Sequence, residues 1–368
     1  MPTIALPNRE SIVSPTSVVQ LEYLSGDGPG PLPKPAAPSS SPNRNWTRFV
    51  LLSDTHAQRC DVPDGDVLLH SGDLTQHGTL QELKLTMEWL YALPHRLKII
   101  IAGNHDSVVH REWYEANWDG LFLHRSKDGP EPAEEVLELL KGPRAVAANI
   151  VYLQDEQYKF KVWENGKEWS VYGSPWSPYW GDWAFGYERE DGEALISRFP
   201  KTDILLTHGP PKNILDFTNG KDRAGCSDLL AALPRLKPRL HVFGHIHEAR
   251  GAHLHRWQGN SGPPKVQNAI QLGLENKKPP VTKNASDDVD MEDDDETEDK
   301  DDGVVILLNT DDDASQVNSG PADGDVGPET IFVNAANYPS GPNAGRKPGR
   351  RVKMGGGGFQ PMVVDLLE

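Results

Sequence analysis

The sequence predicts an α/β fold in which mixed β-sheets form a sandwich that helices cover. In the first half of the chain, short apolar runs alternate with segments of helical apolar spacing. In the middle of the chain, strand-like runs follow one another with no helical segment between them. This mixture is typical of mixed sheets packed between helices.

Five short, continuous apolar runs predict buried strands, because each is bounded by a polar turn. They are residues 49–52, 66–70, 97–102, 204–208 and 240–245. Three segments have apolar residues at helical spacing and predict helices. They are residues 80–93, which Pro94 ends, residues 132–142, which Gly142 closes, and residues 226–236.

Alternating apolar and polar residues predict further strands in the second half of the chain. Residues 149–155, 158–164 and 169–174 follow this pattern, and we expect them to pair as an antiparallel meander. Residues 331–336 and 361–367 predict two closing strands.

The composition predicts one large domain with two irregular segments. Residues 1–45 are rich in Pro, Ser and Gly and predict a flexible leader, in which only residues 18–24 resemble a strand. Residues 46–368 form the predicted single domain, interrupted by an insertion at about 259–328. Between Asp287 and Asp302 the insertion has 12 acidic residues and one Lys, a composition that predicts disorder because it cannot bury enough apolar surface.

The charge distribution limits the partners that we expect. The net charge is −17, and subtracting the −11 of residues 287–302 leaves −6 for the rest of the chain. A mildly acidic body does not attract long nucleic acids, whereas a small phosphate substrate is compatible with it if metal ions supply positive charge.

The sequence gives no sign of a membrane or secretory destination. It has no apolar run of the roughly 18 residues that a membrane span needs, and its first residues lack a secretory pattern. Two cysteines form no disulfide framework. We therefore expect a cytoplasmic protein without a membrane partner, with the nucleus as the alternative location.

Metal-capable side chains follow each of the five predicted buried strands. Sites in α/β proteins are built at the carboxyl ends of strands, so we expect these side chains to meet. Each motif is weak alone, but five in this order are hard to obtain by chance. Carboxylate, amide and imidazole groups suit manganese, iron, zinc or magnesium ions rather than copper, and Asp73 is the natural bridge between two cations. The side chains are Asp54, His56, Asp73, Asn104, His208, His245 and His247.

The chain resembles the calcineurin-like metallophosphoesterase superfamily in five sequence blocks. They are Asp-x-His, Gly-Asp, Gly-Asn-His-Asp, a single His and Gly-His-x-His. The resemblance implies a four-layer αββα sandwich of two mixed sheets flanked by helices, with two divalent ions at one end. It implies manganese first, with iron, zinc or magnesium as alternatives. In the roles that the resemblance implies, Asp54, His56 and His247 hold the first metal, Asn104, His208 and His245 hold the second, and Asp73 bridges the two. His105 donates a proton to the leaving group, and Asp106 orients His105.

Finer features are similar to the metallophosphoesterase-domain-containing subfamily of small phosphodiesterases, in the form that fungal genomes carry. These features are residues 172–176, 208–211, 224–226 and 333–335. The resemblance implies a phosphodiesterase acting on a small, nucleotide-like substrate. The alternatives are a phosphomonoesterase of the same fold and a non-catalytic metal-binding scaffold.

Several other residues have two interpretations. Asn213 and Arg223 follow the fourth block and are candidates for substrate contacts. Trp176 belongs to an aromatic segment, residues 176–185, which is either a lid that stacks on a nucleobase or a hydrophobic plug, the plug being favoured. His77 is interpreted as an exposed turn histidine, and His70 as a histidine of the core.

Overall fold

The computed structural model describes residues 11–23, 33–37, 44–119, 129–220, 222–257, 262, 264, 270–271, 327–339, 353–356 and 358–368. They belong to one compact unit, residues 1–273 and 326–368, while a second unit, residues 274–325, lies outside the described residues. The predicted acidic insertion therefore stays a prediction. Within the described ranges, no helix is long and apolar enough to cross a membrane.

The described strands form two large sheets and one small pair. In chain order they are β1 (Ser11–Ser14), β2 (Ser17–Gln20), β3 (Trp46–Leu52), β4 (Val67–Ser71), β5 (Leu97–Ile101), β6 (Ile150–Tyr152), β7 (Glu156–Lys161), β8 (Glu168–Ser174), β9 (Ser177–Pro178), β10 (Gly186–Tyr187), β11 (Ile204–Thr207), β12 (Leu240–Phe243), β13 (Gly251–Arg256), β14 (Ile270–Gln271), β15 (Glu329–Asn334) and β16 (Met362–Leu367).

Both large sheets are mixed, as predicted. The first has the order β1-β2-β16-β3-β4-β5-β6, and the second has the order β14-β13-β15-β12-β11-β8-β7. In the first sheet β3 to β6 run parallel, whereas β16 is antiparallel to its neighbours β2 and β3. In the second sheet β8, β11, β12 and β15 run parallel, with antiparallel strands at both sides.

Helices cover the outer faces of the two sheets. They are α1 (Leu80–Ala92), α2 (Arg111–Asn117), α3 (Ala133–Lys141), α4 (Pro143–Ala147), α5 (Gly192–Ile196) and α6 (Ser227–Leu236). Thr79 caps the N-terminus of helix α1, because its side chain accepts a hydrogen bond from the Glu82 amide. The helix buries Leu83, Met87 and Leu90 on one face.

Three apolar clusters define four layers. One lies between the sheets and joins β3, β4 and β5 to β8, β11 and β12. A second packs α1 and α3 on the outer face of the first sheet, and a third packs α5 and α6 on the outer face of the second. The predicted αββα sandwich is confirmed, and its parallel strands bring their carboxyl ends to one edge.

Two sequence predictions were wrong in part. The predicted leader contains the β1–β2 hairpin, which pairs with β16 and buries Val19 and Leu21 between the sheets. The predicted meander breaks after β6, because β6 pairs parallel with β5 in the first sheet while β7 pairs with β8 in the second. Alternation identifies a strand, but it does not specify the partner.

Candidate metal centre

The turns after β3, β4, β5, β11 and β12 meet at one edge of the sandwich. The backbone amide of Asp54 donates to the Gly72 carbonyl at 2.9 Å, and that of His56 donates to the Asp73 carbonyl at 3.0 Å. Across the second sheet, the Gly244 amide donates to the His208 carbonyl at 3.0 Å. The seven side chains that the sequence singled out therefore come from neighbouring turns, and they form two adjoining donor groups.

The first donor group consists of Asp54, His56, Asp73 and His247. One ligand atom from each residue lies within 4.8 Å of all the others, which is compact enough for a single cation. Nε2 of His247 lies 3.0 Å from Oδ1 of Asp54 and 3.3 Å from Nε2 of His56. The four residues are buried or nearly so.

The second donor group surrounds His208. Its Nε2 lies 2.8 Å from Oδ1 of Asn104, and its ring centroid lies 5.0 Å from that of His245. Asp73 also reaches this group, since its Oδ1 lies 3.4 Å from Nε2 of His208 while its Oδ2 lies 3.8 Å from Nε2 of His56. One carboxylate thus faces both groups, one oxygen to each.

Two glycines make this close approach possible. A Cβ atom on Gly244 would stand 2.0 Å from Oδ2 of Asp54, and one on Gly103 would stand 2.4 Å from Oδ1 of Asp73. Both distances lie far inside van der Waals contact, so any side chain at either position would displace a donor.

Burial sets the protonation of the donors. It lowers the pKa of His245 to about 3, and it lowers the pKa values of His56 and His208 as well. These imidazoles are therefore neutral near pH 7, the form in which histidine binds a metal. Burial and the charge of Asp54 raise the pKa of Asp73 well above its ordinary value. A bound cation would relieve this cost of burying neighbouring carboxylates. Donor chemistry, spacing and electrostatics all fit a divalent metal.

The structure corrects the predicted partner of His105. Nδ1 of His105 lies 2.7 Å from the Gln76 carbonyl oxygen, so the backbone of Gln76 orients the ring. The Asp106 carboxylate instead accepts hydrogen bonds from the Gly103, Leu74 and Thr75 amides and from the Thr75 hydroxyl. Asp106 therefore fastens the turn after β4 to the turn after β5.

Neutral His105 presents Nε2 without a proton. Burial lowers the pKa of the His105 imidazole to about 4, against the effect of the hydrogen bond to Gln76. The neutral ring keeps its proton on Nδ1, which donates to Gln76. Among the described residues, Nε2 has no hydrogen-bond partner.

Tyr338 lies at the centre, although sequence reasoning did not identify it. Its ring centroid lies 5.0 Å from that of His56 and 5.6 Å from that of His247. It follows β15, the parallel neighbour of β12, so its chain reaches the same edge. The late block 333–335 was the one available signal, and it gave no reason to select a tyrosine.

The three candidate substrate residues make contacts elsewhere. The Arg223 guanidinium donates to Asp216 at 2.9 Å, and the backbone amide of Asn213 donates to the same carboxylate. The Trp176 indole donates to Asp155 at 2.7 Å and packs against Phe185. Among the described residues, no contact joins these three to the two donor groups. The contacts of Trp176 fit its interpretation as part of a hydrophobic plug. Their role in substrate binding stays a prediction.

Two further histidines lie where the sequence interpretation placed them. His77 is exposed, and its Nδ1 lies 2.9 Å from Oε1 of Glu82. His70 is fully buried, with Nε2 3.0 Å from the Thr55 hydroxyl. Neither belongs to a donor group.

Comparison with known proteins agrees with the fold and the site. The sequence profile of the family "Calcineurin-like phosphoesterase" matches residues 47–249, which is more than half of the chain, and the protein belongs to this family. Membership of this family agrees with the donor groups at the edge of the sandwich.

Curated relatives show the same domain. Human metallophosphoesterase domain-containing protein 1 is 41% identical over 217 residues, covering 56% of this chain and 62% of that protein. A UPF0046 protein of Caenorhabditis elegans is 34% identical over 223 residues, covering 56% of this chain and 71% of that protein. The match thus spans less than two thirds of the length of the human relative.

Two solved structures are also similar. The crystal structure of the protein TT1561 of Thermus thermophilus aligns with a TM-score of 0.33 at 11% identity, covering 57% of this chain and 85% of that chain. A purple acid phosphatase from yellow lupin aligns with a TM-score of 0.30 at 12% identity, covering 70% of this chain and 46% of that chain.

Proposed function

We propose that this protein hydrolyses a small, nucleotide-like phosphodiester with the help of two divalent metal ions. The observation that carries the proposal is the position of Asp73, whose two carboxylate oxygens face two different sets of donors. A carboxylate so placed is suited to bridge two cations.

The donors divide between the proposed ions. Asp54, His56 and His247 would hold the first, and Asn104, His208 and His245 would hold the second, with Asp73 shared. Oxygen and nitrogen donors in this mixture suit manganese, with iron, zinc or magnesium as alternatives. Bound there, the ions would supply positive charge for the phosphoryl oxygens and a nucleophile from water near neutral pH.

His105 would assist the departing group. The negative charge of a bound diester favours the protonated imidazole, because an anion nearby raises the pKa of a histidine. With Nδ1 fixed on Gln76, the proton on Nε2 is the one available to the substrate. As the bond from phosphorus to the leaving oxygen breaks, Nε2 gives its proton to that oxygen.

Small size and nucleotide character are parts of the same proposal. The body of the chain is mildly negative, which disfavours long nucleic acids. The aromatic side chain of Tyr338 lies against His56 and His247 and offers a flat surface to a nucleobase. A phosphomonoesterase of the same fold and a non-catalytic scaffold are the alternatives, and the intact donor set argues against the scaffold.

A direct experiment compares substrate types and metals. The protein would be stripped with a chelator and reloaded separately with manganese, iron, zinc and magnesium. Hydrolysis of bis(p-nitrophenyl) phosphate, p-nitrophenyl phosphate and a panel of cyclic nucleotides would then be measured. We expect the diesters to be preferred, the stripped protein to be inactive and reloading to restore the rate.

A matched pair of variants controls the experiment. His245→Asn removes a proposed ligand and should lose metal and activity, whereas His255→Asn on β13 should retain both. A preference for the monoester would support the monoesterase instead. A wild-type protein that binds metal and hydrolyses none of these esters would support the scaffold.

A further inference from the structure

The aromatic segment between β9 and β10 is anchored at both ends. The Ser177 amide donates to the Phe185 carbonyl at 3.0 Å, and the Tyr179 amide donates to the Tyr187 carbonyl at 2.7 Å. Phe185 is fully buried and packs against Trp176. These contacts join the two ends of the loop that carries residues 180–184.

Within this loop, Trp183 differs from its aromatic neighbours. Its ring centroid lies 4.2 Å from that of His105, and the two planes are tilted by 33°. Tyr179 and Trp180 are 45% and 73% exposed. Trp183 is partly buried but belongs to none of the four apolar clusters of the described residues. Its described ring contact is thus with the imidazole of His105 and not with an apolar cluster.

Three contacts together restrain the imidazole of His105. Trp183 covers one side, the His56 ring is nearly perpendicular with its centroid 4.6 Å away, and Gln76 accepts from Nδ1. The χ2 torsion of histidine has broad minima, so neighbouring groups must fix the plane of its ring. Of these three contacts between described residues, the ring contact with His56 and one hydrogen bond would remain without Trp183.

We propose that Trp183 is a positioning residue that holds His105 in the orientation from which Nε2 reaches the leaving oxygen of the substrate. The inference rests on the proposed function, which gives His105 its role. In the reaction, water releases a proton to the solvent as its oxygen bonds to phosphorus, and the bond to the leaving oxygen breaks. That oxygen keeps the electron pair and receives the Nε2 proton, which the solvent then restores to His105. Trp183 touches neither substrate nor metal in this proposal.

The test compares two substrates in three variants. Trp183→Leu removes the ring, Trp183→Phe keeps a ring, and Trp180→Leu is the control on the same loop. For Trp183→Leu we expect kcat on an alkyl phosphodiester to fall about tenfold to a hundredfold, as for a displaced catalytic group. The kcat on a p-nitrophenyl diester should stay within about twofold, since that anion leaves without a proton. Trp183→Phe should recover most of the loss, and Trp180→Leu should match the wild type on both substrates.

A second readout does not depend on catalysis. Diethyl pyrocarbonate modifies accessible neutral imidazoles, and peptide mass mapping would follow its reaction at His105 in the metal-free protein. We expect Trp183→Leu to speed this modification several-fold, whereas Trp180→Leu should leave it unchanged. Metal content after reloading should be the same in all variants.

The outcomes separate the two proposals. If the wild type hydrolyses both diesters and Trp183→Leu slows them equally or not at all, the role of Trp183 is overturned alone. An unchanged rate of His105 modification in Trp183→Leu would also overturn it. A wild type that hydrolyses neither diester would overturn the proposed function, and the role of Trp183 with it.

Discussion

Four of the proposed metal-binding residues adopt left-handed backbone that side-chain-bearing residues rarely use. The φ angles are +53° at Asp54, +47° at His56, +55° at Asp73 and +67° at His245. Each such residue costs about 1–3 kcal/mol and persists only where surrounding contacts enforce it. Here the hydrogen bonds that join the turns hold the backbone in this conformation. The fold therefore loses some stability because the donor side chains must point into the site.

At the scale of single residues, His105 can be separated from the metal donors. His105→Asn should lower the rate on an alkyl or nucleoside diester by about 10²–10⁴-fold, because an alkoxide needs a proton to depart. The rate on a p-nitrophenyl diester should change only slightly, and metal content should be unchanged. Steady-state kinetics on both substrates, with metal analysis, would measure this. An equal loss on both, or a loss of metal, would show that His105 is not the acid.

At the scale of elements, a buried histidine makes β12 sensitive to acid. Nε2 of His241 lies 2.9 Å from the Thr207 hydroxyl, which itself donates to the Gly209 carbonyl, so Nε2 carries the proton. Nδ1 has no partner among the described residues. Burial lowers the pKa of His241 to about 3, far below its value in an unfolded chain.

The sign of the pH effect follows from that difference. Below about pH 6.5 the unfolded chain binds a proton that the folded chain does not, so folding stability falls as the pH falls. Between pH 7.5 and 5.5 the contribution is about 1.4 kcal/mol. His241→Gln keeps a donor to Thr207 and should remove this part of the pH dependence. Denaturant unfolding of the metal-free proteins at both pH values would measure it, and an unchanged dependence would refute the assignment.

The sequence predicted strands most accurately where complete burial produces a continuous run of apolar residues. Strands β3, β4 and β5 are buried along nearly their whole length, so their apolar runs and their carboxyl ends could be read directly. The β1–β2 hairpin could have been found from the alternation of Val19, Leu21 and Tyr23, but the surrounding Pro and Ser residues obscured it. The pairing of β6 with β5 could not be predicted, because it depends on contacts remote in sequence.

The same distinction applies to the site. The donors could be predicted because each follows a recognisable strand. The contacts of His105 with Gln76 and Trp183, and of Tyr338 with His56, join segments far apart in the chain. Nothing local to those segments specifies that they meet.

At the scale of the whole molecule, the acidic segment can be tested by removal. β13 and β15 are antiparallel neighbours, with Arg256 opposite Glu329 and their side chains paired at 2.9 Å. Strand β14, the last described strand before the segment, also belongs to this sheet and pairs with β13. The segment therefore connects two strands of one sheet, and loop length costs little stability. Replacing residues 284–302 with a short Gly-Ser linker should leave the melting temperature and the diesterase rate nearly unchanged. A large decrease in either would show that this segment contributes to folding or activity.

The bridging role of Asp73 is tested most directly by counting metal ions per chain after manganese loading. Elemental analysis and the diester rate would be measured on the same samples of wild type, Asp73→Asn and the exposed control Asp222→Asn, with circular dichroism to verify folding. We expect about two ions per chain in the wild type and the control. We expect at least one fewer, and almost no hydrolysis, in a folded Asp73→Asn. A folded Asp73→Asn protein with the wild-type metal content and the wild-type rate would contradict the dinuclear site.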